Sequence, residues 1–296
     1  MKSRNWKTYL ALVLAMLAWA LSFVWFKVAM PVYGPLTIVF FRLVIASVLL
    51  FFFLKLSGRL MWPGREEGKY LFLLALFEPF LYFLGESYGL LHISSTLAAV
   101  IVATIPLFAV IPARIIYNER NSGNFFLGAI ISLVGVSFVA FEPGLRVSLL
   151  GVALEFVAVF AAVGYSTVLK KIPNSVPIFS VIFYQSLIGA IYFMPLWLLF
   201  EAKDALTVPF NAQAFIAIVE LAVVASVVAF VLFTYGVRHI GMTRSNVFVN
   251  AIPGITAVFA WLILGDPLTR PKLIGLGLLF IGLWLAQRKK FRLKKM

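Results

Sequence analysis

The stretch Tyr88-Gly-Leu-Leu-His-Ile-Ser-Ser-Thr-Leu-Ala-Ala-Val-Ile-Val-Ala-Thr-Ile-Pro106 has a second copy in the same chain, Tyr235-Gly-Val-Arg-His-Ile-Gly-Met-Thr-Arg-Ser-Asn-Val-Phe-Val-Asn-Ala-Ile-Pro253. Extending the match, residues 88–135 fall on 235–282 without a gap, and 13 of the 48 aligned positions are identical. The identities include Tyr-Gly, His-Ile, Thr96/Thr243, Ile-Pro, Gly128/Gly275 and Gly135/Gly282, with Glu119 opposite Asp266. Apolar bias alone does not align tyrosine, histidine, threonine and proline, so the chain holds two copies of one structural unit.

Composition states what kind of unit. Of 296 residues, 63% are hydrophobic and 12% charged, and the mean hydropathy is +1.04. Such a chain is a polytopic membrane protein. The net charge of +14 does not signal nucleic acid, because the basic residues sit in short loops between apolar runs. With no cysteine there are no disulfides, thiolate metal sites or cysteine nucleophiles. The first apolar run is too long for a signal-peptide core and has no small-residue cleavage site, so it reads as an uncleaved span.

The segments of spanning length are 8–29, 35–56, 69–91, 94–117, 124–141, 149–170, 177–200, 211–237, 242–264 and 271–287. Pro35, Pro177 and Pro271 stand at helix starts. Pro79, Pro106, Pro112, Pro195 and Pro253 lie inside spans, where they kink a helix. With the N-terminus inside, 19 basic residues flank the inner ends and 5 the outer ends, while Arg42 falls within a span. That split places both termini in the cytoplasm.

The repeat then acquires a geometric meaning. Segments 4–5 match 9–10, and segments 1–2 match 6–7 at an offset of 143, with Lys27 on Lys170, Phe40 on Phe183 and Arg42 opposite Gln185. The expected fold is all-α integral membrane, ten transmembrane helices in two five-helix repeats, 1–143 and 144–296. Five is odd, so the second copy is inverted in the membrane. Inverted repeats give a carrier two related conformations, one open to each side.

The chain resembles the drug/metabolite transporter superfamily, and within it the ten-helix EamA-type family. The resemblance rests on Trp19-Ala-Leu-Ser-Phe-Val, Phe41-Arg-Leu-Val-Ile-Ala, Tyr88-Gly-Leu with Thr96, Ile105-Pro106 and Glu119, and their echoes Tyr235-Gly-Val-Arg-His-Ile-Gly and Ala251-Ile-Pro with Gly265-Asp266. It covers essentially the whole chain. It implies a metabolite transporter, commonly an exporter of amino acids or related small solutes, and leaves the substrate open.

Ionisable groups at bilayer depth cost about 2.5–3.5 kcal/mol or more each and mark pathways by default. Glu78, Tyr82 and Glu86 are spaced i, i+4, i+8 and share a helix face. Glu86 lies roughly 7 Å and Glu78 roughly 20 Å below the outer end of the third segment. They form a candidate stripe for substrate or protons, against the plainer reading of a structural pair with Arg42. Arg42, roughly 10 Å deep, matches the depth of Glu86. It is expected either to pair with that acid or to bind a substrate carboxylate through its fork. Glu220 is a further candidate, while Glu155 reads as interfacial. Asn246 and Asn250, one turn apart, are expected to bind solute or bridge helices. Trp19, Tyr88, Tyr165, Tyr184, Tyr235 and Gln185 are candidates for the cavity wall, and the 30 Phe are assigned to lipid and packing.

His92, His239, Glu119 and Asp266 read as structural residues at helix ends. Pro106 and Pro253 are candidate hinges, and Gly128/Gly275 and Gly135/Gly282 candidate close-packing positions. No metalloprotease, nucleophile-elbow or phosphate-loop motif occurs. An enzyme is therefore disfavoured, and no cofactor or metal is expected. The expected partners are a small-molecule solute, the lipid bilayer and protons, but not nucleic acid, with the protein a monomer or homodimer in a bacterial inner membrane. A flippase for lipids or lipid-linked solutes, or an integral-membrane enzyme, is the alternative.

Overall fold

In the computed structural model, which describes residues 5–93, 95–119, 122–140, 148–264 and 269–287, every regular element is helical. The chain runs through α1 (Asn5–Ala29), α2 (Pro35–Leu56), α3 (Arg65–His92), α4 (Leu97–Tyr117), α5 (Gly123–Ala140) and α6 (Leu149–Leu169). It continues through α7 (Ile178–Phe200), a short helix Ala202–Thr207, α8 (Ala212–Ile240), α9 (Met242–Ile263) and α10 (Arg270–Gln287). Among the described residues, the eight helices α1–α4 and α6–α9 are long and apolar enough to cross a membrane. The protein is a multi-pass membrane protein. Gly265, Asp266, Arg120, the outermost basic residues of both termini and the Thr96 side chain lie outside the described residues.

Local chemistry sets the helix ends. Pro35 opens α2, where its missing N–H leaves no bond unmade. The Glu201 carboxylate caps the same end, accepting from the backbone N–H of Leu36 (3.2 Å) and Thr37 (2.7 Å). The Ser148 and Asn211 side chains cap α6 and α8 by accepting from Gly151 and Ala214 backbone N–H. Gly241, with φ +85°, ends α8 in a conformation that a side chain would strain.

Three helices are interrupted within their spans. In α3 the residues Leu76–Leu81 leave the α geometry and Glu78 is extended (φ −146°, ψ 115°) just before Pro79. In α4 the helix breaks between Val102 and Ile105, and in α9 a 3-10 turn over Phe248–Ala251 precedes Ile252. Pro106 and Pro253 therefore sit one residue inside the helix that restarts, not at the middle of a bent helix. The wider turns of Leu221–Ala229 in α8 contain neither proline nor glycine.

Helices pack in pairs: α1 on α8, α6 on α3, α2 on α7, α4 on α9 and α5 on α10. The α5–α10 seam brings repeat-related glycines together. A Cβ on Gly128 would lie 2.5 Å from the Gly282 carbonyl, and one on Gly135 2.6 Å from the Gly275 carbonyl. The two helices run antiparallel with their backbones in contact. The α2–α7 pair is also antiparallel, with Phe40 on Trp197 at one end and Phe53 on Phe179 at the other.

Candidate functional site

The helix pairs line a central cavity of about 40 Å³, below the size of a small-molecule site, so a solute would enter only as the helices part. Its polar wall is Arg42 from α2, Glu78, Tyr82 and Glu86 from α3, and Ser166 and Asn246 from α6 and α9. Its aromatic wall is Trp19 and Phe23 from α1, Phe83 from α3, Tyr165 from α6, and Phe230 and Phe233 from α8. Arg42, Glu78 and Glu86 are all buried, at 3%, 7% and 8% exposure.

The carboxyl stripe is held by α3. Tyr82 and Glu86 are one helical turn apart, and the Tyr82 hydroxyl donates to Glu86 Oε1 at 2.9 Å. Glu78 lies across the break, so helical periodicity does not place it. The restart at Pro79, packed on Gly189 of α7, still puts Glu78 on the same wall.

Arg42 makes a different contact from the one its depth suggests. Its Nε donates to Ser226 Oγ at 2.9 Å, and its guanidinium carbon lies 4.3 Å from the Phe83 ring centroid. It forms no ion pair with Glu86: among the described residues the ion pairs are Lys69–Glu66 and Lys170–Glu119. The cavity therefore presents one cationic and two carboxyl side chains that do not satisfy one another directly. Trp19 is fixed by its Nε1–H on the Ala225 carbonyl (3.3 Å) and by Phe230 and Phe233 at ring distances of 5.2 and 5.1 Å. Asn246 and Ser166 hydrogen-bond to each other at 3.2 Å.

Other candidates lie elsewhere. Gln185 accepts from the Tyr165 hydroxyl at 3.2 Å, one layer behind the wall. Asn250 donates to Ser132 of α5 and bridges helices. Tyr184 lines a separate apolar groove with Phe51 and Phe183, its hydroxyl on the Met61 carbonyl at 2.7 Å. Tyr88 and Glu220 are half-buried and off the cavity wall. Glu155, expected at the interface, is completely buried between α6 and α3, because Gly89 leaves room for its carboxyl group.

Glu119 accepts from Lys170 Nζ and from Thr243 Oγ1 (2.6 Å), tying the ends of α4, α6 and α9. No group of three or more His, Asp or Glu suited to a metal occurs among the described residues.

Sequence reasoning missed Ser22, Ser166 and Ser226 and the cavity phenylalanines. A phenylalanine in an apolar run carries no signal that separates a cavity wall from a lipid face.

Comparison with known proteins places this geometry in a family. An uncharacterized transporter of Archaeoglobus fulgidus is 25% identical over 284 residues, covering 96% of this chain and all of its own. The uncharacterized transporter YcxC of Bacillus subtilis is 27% identical over 294 residues, 95% of this chain and 93% of its own. A probable terminal-alkyne amino-acid exporter of Streptantibioticus cattleyicolor is 24% identical over 286 residues, 96% of this chain and 94% of its own. The fold is shared with a solved crystal structure at a TM-score of 0.81 and 18% identity, over 96% of this chain and 99% of that one. The model of the EamA-like transporter family matches twice, over residues 6–141 and 149–287. The chain belongs to the EamA-like transporter family of the drug/metabolite transporter superfamily.

Proposed function

We propose that the protein is a secondary transporter that exports small metabolites of the amino-acid class by alternating access. The observation that carries this reading is the cavity. Arg42 faces a solute carboxylate, Glu78 and Glu86 face its ammonium group, and Trp19, Phe83, Phe230 and Phe233 supply an apolar wall for its side chain. The name of the Streptantibioticus relative adds support from a chain of the same family. In this reading an acidic group carries a coupling proton.

The architecture proposed with it is ten membrane crossings in two inverted five-helix repeats, with α5 and α10 completing the set. Both termini are cytoplasmic, in a bacterial inner membrane. The antiparallel α5–α10 and α2–α7 pairs support the inversion. So does the pairing of α1 with α8 and α6 with α3, a pattern unchanged when the repeats are exchanged.

The test is efflux from liposomes loaded with the twenty protein amino acids, read by mass spectrometry. Wild type is expected to release a subset saturably, and Glu78→Gln to lose that release. No efflux from folded wild type would overturn the solute class. Unchanged efflux in Glu78→Gln and Arg42→Ala would overturn the site.

A further inference from the structure

Glu155 of α6 has no place in the cavity just described. Its exposure is 0%, and neither carboxyl oxygen has a hydrogen-bond partner. It sits in the tightest part of the α3–α6 seam. A Cβ on Gly85 would lie 2.4 Å from the Leu154 carbonyl oxygen, and one on Gly89 2.8 Å from Glu155 Oε1. One turn earlier on α6, Gly151 packs against the His92 Cβ. Three glycines thus bring the two helices together around one acidic group.

The donors on α1 and α3 near this seam make no hydrogen bond to Glu155, and the Ser87 hydroxyl, between the two glycines on α3, is itself buried without a partner. The Tyr82 hydroxyl is held by Glu86, and Lys27 of α1 donates to the Leu90 carbonyl at 3.0 Å. His92 stands exposed at the end of α3. Glu86, three residues before Gly89 on α3, is the carboxyl group within electrostatic reach of Glu155. A carboxylate buried at this depth with no hydrogen bond and an acidic neighbour is far more costly than a neutral acid.

We propose that Glu155 is a proton-binding site of the transporter, separate from the solute cavity. In the closed seam seen here the group is the neutral acid. When α3 and α6 part, water reaches the carboxyl, its O–H bond breaks and the proton passes to that water. Reclosure requires a proton from the water on the side then open. A proton on Glu155 also removes a negative charge facing Glu86, leaving Glu86 free to hold the ammonium group of a solute. The site rests on the transport reading above for its purpose, and on the seam alone for its existence.

Two measurements test it. The first needs no solute: infrared spectra of the protein in phosphatidylethanolamine–phosphatidylglycerol liposomes, taken from mildly acidic to alkaline pH. Wild type is expected to show a carboxylic-acid C=O band that vanishes reversibly as pH rises. Part of that band should be missing in Glu155→Gln, present in Glu86→Gln, and returned in Glu155→Asp. An acid band identical in wild type and Glu155→Gln at every pH would overturn the proposal.

The second is efflux of the amino-acid mixture with and without a pH gradient. The gradient is expected to stimulate wild type several-fold, Glu155→Gln not at all, and Glu155→Asp in part. A wild type indifferent to the gradient, or a Glu155→Gln protein as responsive as wild type, would also overturn it. If wild type moved no amino acid, the solute class would fall while the infrared titration still decided the proton site.

Discussion

At the scale of single residues, the cavity works because its charges are held but not neutralised by each other. Arg42 has one nitrogen on Ser226 and its face on Phe83, which fixes the plane of the fork while leaving its two terminal nitrogens for a carboxylate. Lysine keeps the charge and loses the fork. Arg42→Lys is therefore expected to weaken apparent solute affinity by roughly 10-fold or more, since a hydrogen bond to a charged group contributes about 1.5–3 kcal/mol. Ser226→Ala keeps the fork and releases only its orientation, so its loss should be smaller. Concentration dependence of efflux measures both, and equal affinity in wild type and Arg42→Lys would remove the bidentate role. The charged part of this wall was legible in the sequence, because Arg42, Glu78 and Glu86 interrupt apolar runs. Phe83 and Ser226 were not, since neither is unusual in a membrane helix. Glu155 was misjudged for a physical reason. Distance from a helix end predicts depth, but only the facing helix decides whether water reaches the group, and Gly85 and Gly89 bring that helix into contact.

At the scale of elements, the repeat located several backbone features in advance. Helix restarts at Ile105 and Ile252 are 147 residues apart, the offset of the repeat itself. The interruption at Pro79 was visible as an internal proline. The widened turns of Leu221–Ala229, which pack against α1 and α2, were not, because no residue that breaks helices lies among them. The glycine seam gives the clearest prediction at this scale. A side chain at Gly128 would meet backbone atoms of Gly282 and Ala286 at 2.5 and 2.4 Å, and backbone cannot rotate away as a side chain can. Gly128→Val should therefore lower thermal stability in detergent, at a cost of about 1–3 kcal/mol from overpacking. Substitution at Gly277, with no atom within 4 Å of an added Cβ, should change the melting temperature little. A Gly128→Val protein that melted with wild type would show that α5 and α10 are not packed backbone to backbone.

At the scale of the whole molecule, alternating access requires that one end be tied while the other can open. The tie visible here is Glu119, which joins the C-terminal ends of α4 and α6 to the start of α9 through Lys170 and Thr243. Lys170 also lies 4.3 Å from the Tyr117 ring centroid, and the Tyr117 hydroxyl donates to the Thr167 carbonyl, so the contact is a small network at the end proposed to be cytoplasmic. The lysine and glutamate side chains are 28% and 20% exposed, and a partly solvated pair of this kind contributes at most about 1 kcal/mol. That is enough to change the ratio of two conformations by about 5-fold without unfolding either. The chain contains no cysteine, so a single thiol placed at Ser166 on the cavity wall is an unambiguous reporter. Lys170→Ala and Glu119→Gln are each expected to raise the rate at which a membrane-impermeant thiol reagent reaches Cys at 166 from the cytoplasmic side by up to about 5-fold, and to lower it from the opposite side. Because both substitutions remove the same tie, the double variant should gain little more than either alone. Additive effects, or labelling rates unchanged from both sides, would show that this network holds helix ends together in every conformation instead of closing one mouth of the cavity.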